Sequence, residues 1–262
     1  MYEILADVKD IEKYSYSKLS TYYTCPYSYK LNYIDKVYGV SNGFSKLGGL
    51  VHSILERYLK GEILQFELVD IFEEEFEKEV GSVKLRMAKF TRDLTDNYKE
   101  KCKSFLAEFV SFDGLEIVAV EENFNLLTEI KDKKIFLNGF IDVIAKDKDD
   151  NYYVIDWKSK SAFKSKEELK QYARQLYLYS IWVKYKYGKF PKQLRFVQFK
   201  IDHTEIIDFD EQALEETMNW VYTTLNLVEN EQFWIETCDD FFSRNLCNFR
   251  FICPYSAIVK ED

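Results

Sequence analysis

Residues 134–200 carry one local pattern that leaves few folds open. Two short apolar runs, Lys-Ile-Phe-Leu-Asn-Gly-Phe-Ile-Asp-Val-Ile-Ala (134–145) and Tyr-Tyr-Val-Ile-Asp-Trp (152–157), are separated only by the polar Asp147–Asn151 stretch. β-Branched and aromatic residues bounded by a turn of Asp and Asn predict two strands joined as a hairpin. A long amphipathic stretch at 166–187 follows, then another apolar run at 194–200. Hairpin, helix and returning strand in that order predict a mixed sheet with helices packed on it.

Helical periodicity dominates what comes before. Leu47, Val51, Ile54, Leu55 and Tyr58 recur at helical spacing and predict a helix over 46–60 with one buried stripe. Residues 64–80 and 83–112 predict further helices with Glu and Lys outside. Ser17 is the expected cap of a short helix holding Leu19, Tyr22 and Tyr23. Residues 116–126 predict a strand and 210–228 a helix, and the tail from 237 to 255 predicts irregular chain. The expected fold is α/β with a central mixed sheet flanked by helices, a helical N-terminal part and a cysteine-containing C-terminal tail. It is expected as a single domain over 1–262, with a helical insertion at about 60–112, a core at about 115–200, and a helix and cysteine tail at 205–262. Apolar residues at 47% allow a large core, and 9 Gly with 3 Pro argue against disorder.

The formal net charge of −9 counts against a surface that grips nucleic acid all over, but not against a local basic groove. Lys158, Lys160, Lys164, Lys166, Lys170 and Arg174 form one candidate; Lys184, Lys186, Lys189, Lys192 and Arg195 form a second. For any single one of these lysines a solvated face is the better reading. Residues 1–10 are polar and acidic, without the pattern of a signal peptide, and no apolar run reaches membrane-spanning length. The expectation is a cytoplasmic protein with free or metal-binding cysteines.

Asp142 and Asp156 each end an apolar run, and Lys158 follows Asp156 by two residues. Alternation along a strand puts Asp156 and Lys158 on one face, and hairpin pairing lets Asp142 reach it. Two converging carboxylates make a hard-oxygen site suited to Mg²⁺ or Mn²⁺, which lowers the pKa of bound water and stabilises charge on a phosphate. An adjacent ammonium can orient water or contact the phosphate. Spacing alone favours strand-end turn residues with Lys158 a surface cation, because Asp-x-Lys is a common tripeptide.

The surrounding motifs decide between these. Gly48-Gly-Leu-Val-His52, Gly139-Phe-Ile-Asp142, Asp156-Trp-Lys158 and Gln175-Leu-Tyr-Leu-Tyr179 stand in the order Gly-x-x-x-His, Gly-x-(Ile/Val)-Asp, Asp-x-Lys, Gln-x-x-x-Tyr. The ordered set resembles the PD-(D/E)XK nuclease superfamily, with its restriction-endonuclease-like core, and in particular the RecB-type group. That resemblance implies that Asp142, Asp156, the Trp157 main-chain carbonyl and His52 hold a metal. It implies that Lys158 is the catalytic lysine, and that Gln175 and Tyr179 shape the site and contact DNA. His52 shares a helix face with Gly48 and Glu56, away from the Val51/Leu55 stripe.

Many RecB-type nucleases close their fold with an iron–sulfur cluster. Cys25 in Thr-Cys-Pro-Tyr, with Cys247 and Cys253 spaced by five residues, resembles that cysteine set. Arg244 occupies one expected cysteine position, and Cys238 substitutes only if its loop folds back. Buried or surface thiols are the alternative, and Cys102 reads as structural. The resemblance thus implies a Mg²⁺- or Mn²⁺-dependent deoxyribonuclease, an exonuclease of recombination, repair, phage DNA processing or CRISPR adaptation. It implies DNA as substrate, a [4Fe–4S] cluster, and a helicase or recombination protein as partner; a non-catalytic DNA-binding module is the alternative. No phosphate-loop motif for ATP is present. Lys160 and Lys164 are expected to contact phosphate, and Tyr14, Tyr16 and Tyr22 to offer stacking surfaces, with Tyr22 more readily read as core.

Overall fold

A computed structural model describes residues 12–80, 86–87, 92–93, 95–235 and 238–259. In chain order its strands and α-helices are β1 (Lys13–Tyr14), α1 (Tyr16–Thr24), α2 (Pro26–Tyr29), α3 (Gly43–Leu59), α4 (Leu68–Glu79), β2 (Arg86–Met87), β3 (Arg92–Asp93) and α5 (Thr95–Glu108). They continue with β4 (Glu116–Ile130), β5 (Lys133–Lys146), β6 (Tyr152–Lys158), α6 (Lys166–Tyr187), β7 (Gln193–Gln198), β8 (His203–Asp208) and α7 (Glu211–Glu229). The chain divides into two compact units. One comprises residues 1–20 and 111–231, the other 21–110 and 232–262.

The first unit is built on a six-stranded sheet in the order β1-β5-β6-β7-β8, with β4 also on β5. β5 pairs with β4 along its whole length and with β6 only over Val143–Lys146. β6 and β7 are parallel, and β8 returns antiparallel at the edge. The sheet is mixed and flanked by helices, as expected for the restriction-endonuclease-like α/β class. The Asp147 turn closes the β5–β6 hairpin: Asp147 Oδ1 accepts the Asp149 and Asn151 amides, and Asp150 takes a left-handed φ of 58°. These bonds to the ionised form hold the Asp147 carboxyl well below the usual carboxylate range, with the Asn151 side chain the largest contributor.

Parallel pairing of β6 with β7 requires a crossover, and α6 provides it. Ser165 caps its start, accepting the Glu168 amide at 3.1 Å, and Gly188 ends it at a left-handed φ of 79°. Its middle, Ala173 and Leu176–Val183, is buried almost all round. There it joins Phe124, Leu126, Leu137, Ile141, Ile144, Val154, Leu194 and Phe196 from the strands and Val221 and Leu225 from α7 in one core.

Several sequence expectations need correction. Ser15, not Ser17, caps α1, its Oγ accepting the Lys18 amide at 3.1 Å. The helix expected over 83–112 begins only at Thr95, with two short paired strands, β2 and β3, ahead of it. β8 was not expected; its run His-Thr-Glu-Ile-Ile-Asp lacks the continuous apolar signal because it is an exposed edge. Tyr14 and Tyr22 are core residues at 5% exposure each, and the Tyr16 hydroxyl donates to the Gln171 carbonyl, so these rings are packed rather than offered for stacking.

The second unit contains α3, capped by Asn42 through the Ser45 amide at 2.9 Å. Leu47, Val51, Ile54 and Leu55 form the buried stripe the spacing predicts; Tyr58 is half-buried, its hydroxyl donating to the Val110 carbonyl. α4 buries Leu68, Phe72 and Phe76. The C-terminal tail is not featureless: residues Phe242–Leu246 form one π-helical turn, with Cys247 at its end. Among the described residues no helix is long and apolar enough to cross a membrane.

Candidate metal-binding active site

The site sits where the hairpin comes apart. The β5–β6 ladder ends at Val143/Ile155, whereas the β6–β7 ladder continues to Lys158/Gln198. Beyond Ile155 the β5-side edge of β6 has lost its strand partner, and its backbone groups need others. Asp142 supplies one, with Oδ2 accepting the Trp157 amide at 2.8 Å. Asp142 and Asp156 each lie one step past the last pair. The divergence thus opens the notch in which both carboxylates sit, Asp142 at 8% and Asp156 at 1% exposure.

Burial pushes the Asp142 carboxyl well above the usual carboxylate range, and the nearby Asp156 charge adds to this. The Trp157 amide and Lys158 oppose the rise, and Glu121 reinforces it. Glu121, on β4, has one carboxylate oxygen within 4.8 Å of one from Asp142. It stands mid-strand with φ 51°, a left-handed conformation that costs a non-glycine residue about 1–3 kcal/mol and that clusters at functional sites. Glu121 carries no mark in the sequence, because a glutamate inside an alternating strand looks like an ordinary solvent-facing residue. The next residue, Glu122, is indeed tied elsewhere, accepting from Trp182 and Lys186.

Lys158 completes the group. Its Nζ lies 2.5 Å from Asp156 Oδ2 and 2.7 Å from Gln175 Oε1. The contact to Asp156 is an ion pair of poor angle, so the buried Oδ2 accepts no directed hydrogen bond. Gln175 is the hub, with Nε2 donating to Asp156 Oδ1 at 2.7 Å and to the Tyr179 hydroxyl at 2.8 Å. Lysine can only donate and a carboxylate can only accept, so this amide has a single sensible orientation. Burial, then the Asp156 charge, push the Tyr179 phenol far up, so it stays neutral. Gly139 has a physical reason as well. A Cβ there would lie 3.2 Å from the Phe124 ring and 3.6 Å from the Tyr179 ring.

Asp156 Oδ2, which meets the Lys158 ammonium without a directed hydrogen bond, and the neighbouring carboxylates of Asp142 and Glu121 form a cluster of hard-oxygen donors. Carboxylate oxygens of this kind suit a hard divalent ion.

Of the other sequence candidates, Lys160 is held by Glu168 at 2.8 Å and lies over the Phe163 and Tyr172 rings. The Lys164 side chain is exposed, while its amide donates to Glu168. Gln198 went unnoticed in the sequence; buried at 1%, it donates to the Ser161 carbonyl and pins the loop after β6. His52 lies half-buried on α3 of the second unit.

In that second unit the four cysteines converge. Burial pushes the Cys238 thiol up to about 11, and the charges of Cys25, Cys247 and Cys253 push it the same way, which places all four in mutual electrostatic range. Cys25 caps α2, accepting the Ser28 amide, and the Ser28 hydroxyl reaches Cys247 Sγ at 3.6 Å. Arg244 turns to Asp240 instead, at 2.9 Å. Cys102 is buried on α5.

The family model of the PD-(D/E)XK nuclease superfamily matches residues 13–254. The chain belongs to the PD-(D/E)XK nuclease superfamily. Its members are nucleases that use divalent metal ions, and the acidic notch on β4, β5 and β6 is the candidate site for one here. No curated protein sequence is significantly similar. Among solved structures the chain is similar to that of SSO0001, with 15% identity and a TM-score of 0.41 over 95% of this chain and 89% of that one. A likeness at that level leaves the role of each side chain in this PD-(D/E)XK protein to its own geometry.

Proposed function

We propose that this PD-(D/E)XK protein is a Mg²⁺- or Mn²⁺-dependent deoxyribonuclease of the RecB type, acting as an exonuclease on DNA during recombination, repair or phage DNA processing. The observation that carries the reading is the convergence of Asp142, Asp156, Lys158 and Gln175 where β5 and β6 separate. In this reading Asp142 and Asp156 hold the ion, with Glu121 beside them. A residue's N–H and C=O leave a strand by the same edge, so the Trp157 amide bond to Asp142 supports the Trp157 carbonyl as a further ligand. His52 is proposed as another ligand from the order of its motif. A bound divalent ion supplies charge stabilisation for the phosphate and a more acidic water.

The chain's own groups do the rest. Gln175 fixes Asp156 through Oδ1, leaving Oδ2 for ligation, and holds the Lys158 ammonium beside it. Lys158, beside Asp156 Oδ2, would hold the attacking water or meet the developing charge on the scissile phosphate. Lys160 and Lys164 contact the DNA backbone, Lys160 by exchanging Glu168 for a phosphate, while Gln175 and Tyr179 keep the site in shape. The convergence of Cys25, Cys238, Cys247 and Cys253 supports a [4Fe–4S] cluster ligated by these four thiols. The family match runs through both units, which supports one nuclease domain over 1–262, in a cytoplasmic protein that works with a helicase or recombination protein.

End-labelled linear DNA and closed circular DNA, each with Mg²⁺ or Mn²⁺, test the proposal. Linear substrate should be shortened from its ends and circular substrate left intact. Cleavage of circles would replace exonuclease with endonuclease action, and no metal-dependent cleavage of either would leave a binding module.

A further inference from the structure

The exposed face of the β4–β5 ribbon next to the acidic notch has a composition that folding does not explain. Phe140 is 55% exposed, although Ile141, Val143, Ile144 and Ala145 after it on β5 are buried. Across the ladder it faces Asn123, and the next pair on that face is Asn125 with Asn138. Directly opposite side chains lie about 4.5–5.5 Å apart, so these four form one continuous patch. Asn123 and Asn125 are exposed and Asn138 is half-exposed. None of the four side chains has a hydrogen-bond, ring or ionic partner among the described residues. The opposite face of the same ribbon, with Phe124, Leu126, Leu137 and Ile141, carries the core.

Asparagine is disfavoured in strands and a half-bare phenylalanine gains little by burial, so neither is there for stability. What the patch offers is an aromatic face flanked by uncharged amides, each with donors and an acceptor. A phosphate would call for cations. A nucleobase has a π-face to stack and an edge of donors and acceptors to meet amides. The patch begins two residues, about 7 Å, from Asp142. It also supplies the stacking surface that the buried Tyr14 and Tyr22 do not.

We propose that Phe140, with Asn123, Asn125 and Asn138 around it, receives an unpaired base of the substrate strand beside the scissile phosphate, making this a nuclease for single-stranded nucleic acid or for frayed ends. The assignment of that base to a cleaved strand rests on the nuclease reading above.

Binding is measured by fluorescence anisotropy in EDTA, where no metal-dependent cleavage occurs. The probes are a labelled single-stranded oligonucleotide, the same strand carrying abasic positions, and a blunt hairpin. Phe140→Ala and Phe140→Leu should weaken the base-bearing strand by roughly 5- to 150-fold, the factor equivalent to about 1–3 kcal/mol for one stacked base. Both should leave the abasic strand and the hairpin unchanged, and Phe140→Trp should bind the base-bearing strand like the original protein. Asn123→Ala with Asn125→Ala should weaken the same probe alone. Leucine keeps the bulk without the π-face, so unaltered binding by Phe140→Leu overturns the proposal, as does equal loss on the abasic strand or the hairpin. Cleavage is assayed separately with metal restored. An active nuclease indifferent to Phe140 refutes base stacking alone, and a Phe140-dependent binder that never cleaves refutes the nuclease reading alone.

Discussion

Removing the charge of Asp142 should make the metal-free protein more stable while abolishing its proposed activity. Asp142→Asn keeps the shape and an oxygen able to accept the Trp157 amide. It removes a buried negative charge set near Asp156 and within 4.8 Å of Glu121. At an effective dielectric constant of about 20, two unit charges at that distance repel by roughly 3–4 kcal/mol. Solvent around the half-exposed Glu121 screens part of this. Against it stands the weakening of one charge-assisted hydrogen bond to a neutral one, about 1 kcal/mol. The net expectation is a gain of about 1–3 kcal/mol, or roughly 2–10 °C in melting temperature for a chain of this size. The assay is guanidinium and thermal unfolding in EDTA at neutral pH, repeated with Mn²⁺. The sign with pH follows from the raised Asp142 carboxyl. Its contribution is fully present below the ordinary aspartate range and is lost as pH rises through the higher folded value. The advantage of Asp142→Asn should therefore grow from acid toward neutral pH, and Mn²⁺ should stabilise the original protein more than the variant. A metal-free variant less stable than the original at neutral pH would refute the crowded-carboxylate reasoning.

Lys158→Ala should lower kcat by at least about 100-fold, the contribution of a positioned proton donor, while Mn²⁺ still raises the melting temperature; loss of that metal-induced rise would give Lys158 a different role. Anaerobically purified protein should be brown with about four irons per chain, and Cys238→Ser should lose iron and colour whereas Cys102→Ser keeps both; iron retained by Cys238→Ser removes it from the ligand set. Changing Lys160 and Lys164 together to Gln should lower the salt slope of DNA binding by about one unit per lysine, and an unchanged slope places the backbone path elsewhere. Burial pushes the Tyr16 phenol up to about 12, so its contribution to stability is intact below pH 10 and lost between pH 10 and about 12. Tyr16→Phe should flatten the alkaline limb of the unfolding curve in that interval, and an unaltered limb would show that Tyr16 is not buried as described.

The parts of the fold that could be read from sequence were those whose pattern arises locally. The β5–β6 hairpin announced itself through alternation and an Asx turn, and α6 through its periodicity, with its start and end at the residues expected. Legibility failed where tertiary surroundings set the outcome. β8 is an edge whose exposure blurs the apolar signal. Asp142, Asp156 and Lys158 were visible because four weak motifs reinforced one another in order. Glu121 was not visible, since what marks it is a left-handed backbone angle and a carboxylate across the ladder, neither of which has a one-dimensional trace. The same holds for Gln198, whose importance lies in carbonyls 37 and 38 residues away.

The acidic balance of the chain and a polyanionic substrate are compatible once the partners of the charged residues are known. Lys30, Lys60, Lys78, Lys99, Lys103, Lys146 and Lys170 all sit against carboxylates, so much of the positive charge is internally matched. Such pairs contribute little to stability, and each cation so matched draws in a duplex more weakly at a distance. A protein of this kind cannot rely on phosphate attraction alone, whose strength comes from counterions released by cationic contacts. It needs contacts that salt does not screen, and the uncharged aromatic–amide face beside the notch has that chemistry. The salt dependence of binding should accordingly be shallow, with the part that survives in high salt being the part that Phe140→Leu removes.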